Sequence, residues 1–320
     1  MELERPVRLA SIDIGSNAIR LYVGQKSKNG RVRMLEDQRA SVRLGKDAFS
    51  AGYIRPATQV ELERALSEFR RICERLKVSG ICAVGTSALR DSSNSAKVIR
   101  QLKSRTGIRV KVIDGEQEAA LLFKAVNHVL DLRHKMALLL DMGGGSLEIV
   151  MSRRGRVIKR ESLPLGSVRL LSKVKHKPHY EDIAQHVRTP LYRLRVRLMG
   201  KNQTPPQLLI GTGGNLRALG KLCFRLGLSR SRSRFHRAHL ETLTLRLFNM
   251  TLNQRMKRFQ LRKDRADVIL PAAVVTLEMM RIFEVQEILV PDVGLKNGVF
   301  WEAMERRQRS KSGKGPVRPS

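Results

Sequence analysis

Apolar and polar positions along the chain alternate between two periods. Short apolar runs bounded by Gly, Asn, Asp or Ser predict strands over 7–13, 18–23, 31–35, 80–85, 109–113, 136–140, 147–151, 157–163, 207–210 and 287–290. Longer stretches with apolar residues three and four apart predict helices over 58–76, 93–106, 115–131, 180–199, 216–224, 240–256, 266–283 and 295–304. In the first of these, Val60, Leu62, Leu66, Phe69, Ile72, Cys73 and Leu76 form the inward stripe, and Thr58 with Glu61 spells a capping box. Asn29-Gly30 is a hairpin signal, and Pro190 should kink or break the helix that contains it. Strands interleaved with helices over 320 residues predict an α/β protein with room for two cores.

Three polar turns interrupt this pattern in similar ways. Gly15-Ser16-Asn17 follows a strand ending near Asp13, Gly143-Gly144-Gly145-Ser146 follows one ending at Asp141, and Gly211–Asn215 follows a third. Glycine N–H groups can approach an oxyanion closely, and an acid at a strand end beside them can hold a hard cation bridging to phosphate oxygens. Asp141 and Glu148 flank one turn and could serve the same ion. A glycine-rich β-turn carrying an exposed acid is the plainer alternative. Arg90, in the polar segment 86–91, could fork onto a phosphate or pair with Asp91. Glu116 and Glu118 stand in a first helical turn, where they would offset the helix dipole, yet a free carboxylate such as Glu118 could also orient a water.

Composition narrows the partners. With 62 Lys and Arg against 29 Asp and Glu, the net charge is +33. Residues 1–132 hold 24 basic and 15 acidic side chains, net +9, whereas 133–320 hold 38 and 14, net +24. Such a field concentrates polyanions, with polyphosphate, nucleotides and nonspecific RNA all qualifying. No apolar run reaches the roughly 18–20 residues of a membrane span, and MELERPVR lacks a signal core, so a cytoplasmic protein without membrane association is expected. Three cysteines, Cys73, Cys82 and Cys223, without metal spacing fit buried reduced thiols. The His176/His179 and His236/His239 pairs lack a third ligand, and no metal is assigned to them.

The ordered segments IDIGSNAIRLYVG, VRLG, AVGTSALRD, VIDGEQEA, LLLDMGGGSLEIV, LPLGSVRL, IGTGGNLRAL, ADVILPAAVV and PDVGLKNGV resemble the exopolyphosphatase / guanosine pentaphosphate phosphohydrolase (Ppx/GppA) family. Nine segments in order, spanning about residues 8–305, make the resemblance specific. It implies two ribonuclease-H-like domains of the actin-like ATPase superfamily with a catalytic cleft between them. On that reading the domains are 1–132 and 133–305, with a basic, disordered tail over 306–320. Glu118 would act as the base toward the attacking water, and Asp141 and Glu148 would bind Mg²⁺, or Mn²⁺ in its place. Asn17, Arg90, Gly144, Gly145, Ser146, Gly213 and Gly214 would line the phosphate site.

Three positions depart from the family pattern. Gln117 stands for its first Glu, Leu147 for the Thr after GGGS, and Asn215 for the Thr of GTGGT. The chain resembles the short form of the family, without the C-terminal HD-like domain. The basic stretch 153–265 is then a candidate track for a long anion, and a homodimer is among the arrangements left open. The implied activity is hydrolysis of terminal phosphoanhydrides of polyphosphate. The alternatives are a guanosine pentaphosphate or nucleoside polyphosphate phosphatase, tied to the stringent response, and a polyanion-binding regulator without turnover.

Overall fold

The computed structural model describes residues 7–27, 31–174, 178–200 and 204–311. The Asn29-Gly30 turn, His176 and the chain beyond residue 311 lie outside the described residues. The first half opens with the strands β1 (Val7–Ile14), β2 (Ile19–Lys26) and β3 (Val32–Ala40), then the helices α1 (Leu44–Ala51) and α2 (Pro56–Arg75). It continues through β4 (Gly80–Gly85), α3 (Ser87–Arg90), α4 (Ser95–Thr106), β5 (Val110–Val112) and α5 (Gly115–Asn127). The five strands form one sheet in the order β3-β2-β1-β4-β5, antiparallel across β1–β3 and parallel from β1 to β5. Ile12, Ile14 and Leu21 bury one face against Leu62, Leu66 and Phe69 of α2.

Local expectations fail here for identifiable reasons. Helix α2 starts at Pro56, where the missing N–H costs nothing, so Thr58 lies within the first turn and caps nothing. Val60 is exposed rather than inward. The segment 86–91, expected as a loop, contains α3, and α1 has too short a stripe to stand out.

The second half holds β6 (Met136–Met142), β7 (Leu147–Arg153), β8 (Arg156–Leu163), α6 (Ser167–Leu171), α7 (Tyr180–Ala184), α8 (Arg188–Met199) and β9 (Leu208–Thr212). After these come α9 (Gly213–Arg225), β10 (Arg234–His236), α10 (Arg237–Phe248), α11 (Leu252–Phe259), α12 (Lys263–Ala266), α13 (Ile269–Ile282), β11 (Glu287–Leu289) and α14 (Leu295–Lys311). The sheet order is β10-β11-β9-β6-β7-β8. The helix expected over 180–199 breaks at 185–187, placing Pro190 in the first turn of α8. That over 240–256 breaks before Thr251, whose hydroxyl accepts from the Gln254 N–H at 3.2 Å while its own N–H donates to the Gln254 side chain at 2.8 Å. The third glycine turn is no loop: β9 runs through Thr212 directly into α9. Residues 306–311, expected to be disordered, continue α14, where Arg306 pairs with Glu302 at 2.8 Å, one turn back.

Two helices cross between the halves. Helix α5 packs on β7 and β8 of the second sheet, whereas α14 returns to β1, β2 and β4 of the first. A Cβ on Gly298 would stand 2.0 Å from the Leu121 carbonyl oxygen, so α14 and α5 meet backbone to backbone. Phe300 is buried over Gly24, and the Ser11 hydroxyl donates to the Lys296 carbonyl at 2.7 Å. No helix among the described residues is long and apolar enough to cross a membrane.

Candidate active site

Each half presents its first hairpin to the other. Asp13, next to last in β1, stands opposite Arg20 of β2; Asp141, next to last in β6, stands opposite Glu148 of β7. Both turns close through a backbone bond, Gly15 N–H to Ala18 O at 3.2 Å and Gly143 N–H to Ser146 O at 3.1 Å. The tips touch. A Cβ on Gly144 would lie 2.8 Å from that of Ser16, and one on Gly145 2.4 Å from the Phe49 ring, so glycine permits the approach. Polar links hold it: Ser16 Oγ to Ser87 Oγ at 2.9 Å within the first half, and Asn17 Nδ2 donating to the Asp264 carbonyl at 2.8 Å across the halves. Arg169 donates to the Gly145 carbonyl at 2.7 Å, pairs with Asp91, and lies 4.0 Å over the Phe49 ring.

Between the tips is a cleft of about 90 Å³. Of the residues expected there, Asn17, Glu118, Asp141, Gly144, Ser146, Gly213 and Gly214 line it, as does Asp13. The others stand behind its wall. Glu148 is fully buried, with Ser162 Oγ donating to Oε1 at 3.1 Å. Gly145 packs on Ser87 and Phe49. Arg90 donates to the Ile113 carbonyl at 2.9 Å and reaches Asp91 at 3.6 Å and Glu118 at 3.8 Å, so it faces carboxylates.

The acidic cluster is electrostatically loaded. Burial pushes the Glu118 carboxyl well above its ordinary range, and Glu148, Asp13 and Asp141 add to that while Arg90 opposes it. Burial likewise raises Glu148 to about 7, against hydrogen bonds from Ser146 and Ser162, and Asp13 to about 6, against Arg20. Asp141 is raised by burial, with a Thr212 hydrogen bond opposing. Glu118 Oε2, Asp141 Oδ1 and Glu148 Oε2 are buried without a hydrogen-bond partner. Buried acceptors of this kind cost free energy unless a proton, cation or water meets them.

A family model described as the Ppx/GppA phosphatase family matches residues 23–307. The chain belongs to the Ppx/GppA phosphatase family. Members of this family hydrolyse phosphoanhydride bonds. Exopolyphosphatase 1 of Mycobacterium tuberculosis is 26% identical over 309 residues, 93% of this chain and 89% of that protein. The crystal structure of an exopolyphosphatase from Cytophaga hutchinsonii superposes with a TM-score of 0.85 at 26% identity, over 93% of this chain and 98% of that one. A Ppx/GppA family member from Aquifex aeolicus gives 0.75 at 26% identity, over 94% and 99%. The fold is therefore the two-part, actin-like α/β fold of that family.

Against the Ppx/GppA pattern, Leu147 is buried in the second core, and Gln117 turns away from the cleft. Asn215 donates to Ser167 Oγ at 2.9 Å and accepts from Arg265. That last bond leads to residues the sequence reading passed over. Arg20 and Arg265 both line the cleft, and a Cβ on Gly214 would stand 2.7 Å and 2.5 Å from their respective guanidinium nitrogens. Burial and Arg20 depress Arg265 to about 9, and burial and Arg217 depress Arg20. Arg20 could have been found as the cross-strand partner of Asp13. Arg265, on a one-turn helix after a polar stretch, carried no signal.

Proposed function

We propose that this protein is an exopolyphosphatase, removing the terminal phosphate of inorganic polyphosphate by attack of water. One observation carries the reading: a single narrow cleft brings together carboxylate oxygens that no hydrogen bond satisfies and two guanidinium groups that converge at Gly214. A chain-end phosphoryl group would sit by the carboxylates, and the following phosphates would run between Arg20 and Arg265. The first-turn N–H groups of α9, which no side chain caps, and the Gly144 amide would orient the anion.

Asp141 and Glu148 would hold Mg²⁺ or Mn²⁺. Bound there, the ion supplies neutralisation of the phosphoryl oxygens and leaving group. The donor set fits such an ion. One hard oxygen of each, Asp141 Oδ1 and Glu148 Oε2, lacks a hydrogen-bond partner, and among the described residues no three ligating side chains converge. Mg²⁺ uses one or two carboxylates, keeps several waters and takes the rest from substrate phosphate. Glu118 would orient the water and take its proton, burial having raised its proton affinity above that of an ordinary carboxylate. Arg90 fixes that carboxylate from behind.

No aromatic ring lines the cleft among the described residues, so a guanine base finds no stacking surface there. This favours polyphosphate over guanosine pentaphosphate as substrate. The test is phosphate release from polyphosphates of graded length, guanosine pentaphosphate and ATP, with Mg²⁺ or a chelator. Release from polyphosphate that a chelator stops and Glu118→Gln removes is expected. Preference for guanosine pentaphosphate would replace the substrate assignment, and tight polyphosphate binding without release would leave a regulator.

A further inference from the structure

A second concavity lies behind α5, away from the cleft. Its floor is β4 and β5, its walls are α5 and α14, and its volume is about 420 Å³, within the range of about 300–1,000 Å³ typical of small-molecule sites. The interior is aliphatic, continuous with the buried Val84, Ile113 and Val299 and the half-buried Leu121, and among the described residues no aromatic ring lines it. The rim is basic. Among the described residues its one carboxylate, Glu302, is engaged by Lys124 at 2.6 Å and Arg306 at 2.8 Å. Arg109 and Lys111 flank Val110, so both side chains leave the same face of the sheet, and neither has an ion-pair partner among the described residues.

We propose that this concavity binds a small organic anion with an aliphatic body, a carboxylate or a phosphate monoester. The body lies on the aliphatic floor, and the charged head sits between Arg109 and Lys111. The absence of rings argues against a nucleotide, and a floor with two helical walls favours a small molecule over a flat protein surface. Helix α5 sends Gln117 and Leu121 into this concavity and Glu118 into the cleft, so a ligand here bears on the helix that positions Glu118.

Cys82 lines the concavity and is the one exposed cysteine, Cys73 and Cys223 being buried. Its alkylation by iodoacetamide therefore reports occupancy in the full-length protein, independently of hydrolysis. Decanoate and decyl phosphate, the two arms of the ligand class, are titrated below their micellar concentrations. At least one should slow alkylation saturably, by about tenfold at about ten times its dissociation constant. Inorganic phosphate and decyltrimethylammonium should not. Protection, taken relative to each protein's own unliganded alkylation rate, should vanish in R109E/K111E, whose replaced side chains are exposed. Hydrogen exchange over Gly115–Asn127 should slow with protection. Equal protection by the cation, protection persisting in R109E/K111E, or none by either anion would overturn the site. A thiol that reacts only on dilution would instead make this face a contact between copies, and unchanged exchange under protection would overturn the link through α5.

Discussion

The two hairpins at the cleft share a plan and differ in one pair. In each, an Asp stands next to last in the leading strand, a small-residue turn follows, and the register sets a charged residue opposite the Asp. In the first hairpin that residue is Arg20; in the second it is Glu148. Opposite charges facing across a strand pair support it, whereas like charges oppose it. The Asp13 hairpin thus balances itself, and the Asp141 hairpin is left electrically incomplete. The proposed chemistry needs that asymmetry: one tip supplies fixed positive charge, and the other invites a cation.

The largest expected effect comes from the carboxylate that faces both tips. Glu118→Gln should lower kcat by about 10²–10⁴-fold, the usual contribution of a general base, with little change in KM; an unchanged kcat in a phosphate-release assay would remove Glu118 from the chemistry. Next is the like-charged pair itself. Glu148→Gln should raise the Mg²⁺ concentration needed for half-maximal rate by about 100-fold, the upper end of the 10–100-fold typical of outer-shell losses, and make the metal-free fold more stable. A Mg²⁺ titration and a thermal melt read the two signs. On the self-balanced side, Arg20→Met should raise KM for polyphosphate by about tenfold, one charge-assisted hydrogen bond, while sparing the Mg²⁺ midpoint.

The smallest effect is in pH. Glu148 binds its proton more tightly in the fold, at about 7, than at its ordinary 4.5. The contribution to stability is therefore full below about pH 4.5 and lost as pH rises through 7. Without divalent ions, the parent and Glu148→Gln should melt close together near pH 4.5, with the variant higher by several degrees at about pH 8. Parallel curves would mean that Glu148 does not titrate there.

The sequence made the strand-ending aspartates and glycine turns legible because both are local: an apolar run, an acid, and residues that must be small. It also carried every strand but β10, whose three residues follow a run of alternating serine and arginine. What it hid depends on distant parts of the chain. Arg90 sits in a polar stretch suited to phosphate, yet tertiary packing turns it onto Glu118 and Asp91. Arg265 enters the cleft because α12 packs beside α11, where Arg255 donates to the Ala266 carbonyl at 2.8 Å. Arg169 fastens Gly145 to Asp91 and Phe49, a role that only the fold shows. Helix breaks at 185–187 and 249–251 were invisible because the apolar stripe continues through both.

Because α14 covers the underside of β1, β2 and β4, the first sheet is sealed by nearly the last described residues of the chain. During synthesis the ribosome must deliver Phe300 before Leu9 and Gly24 gain their cover, long after their own strands have emerged. The N-terminal portion would therefore wait, half-clothed, for the whole of its sister to be made, and a gene fragment encoding it alone would yield a polypeptide with a bare apolar flank.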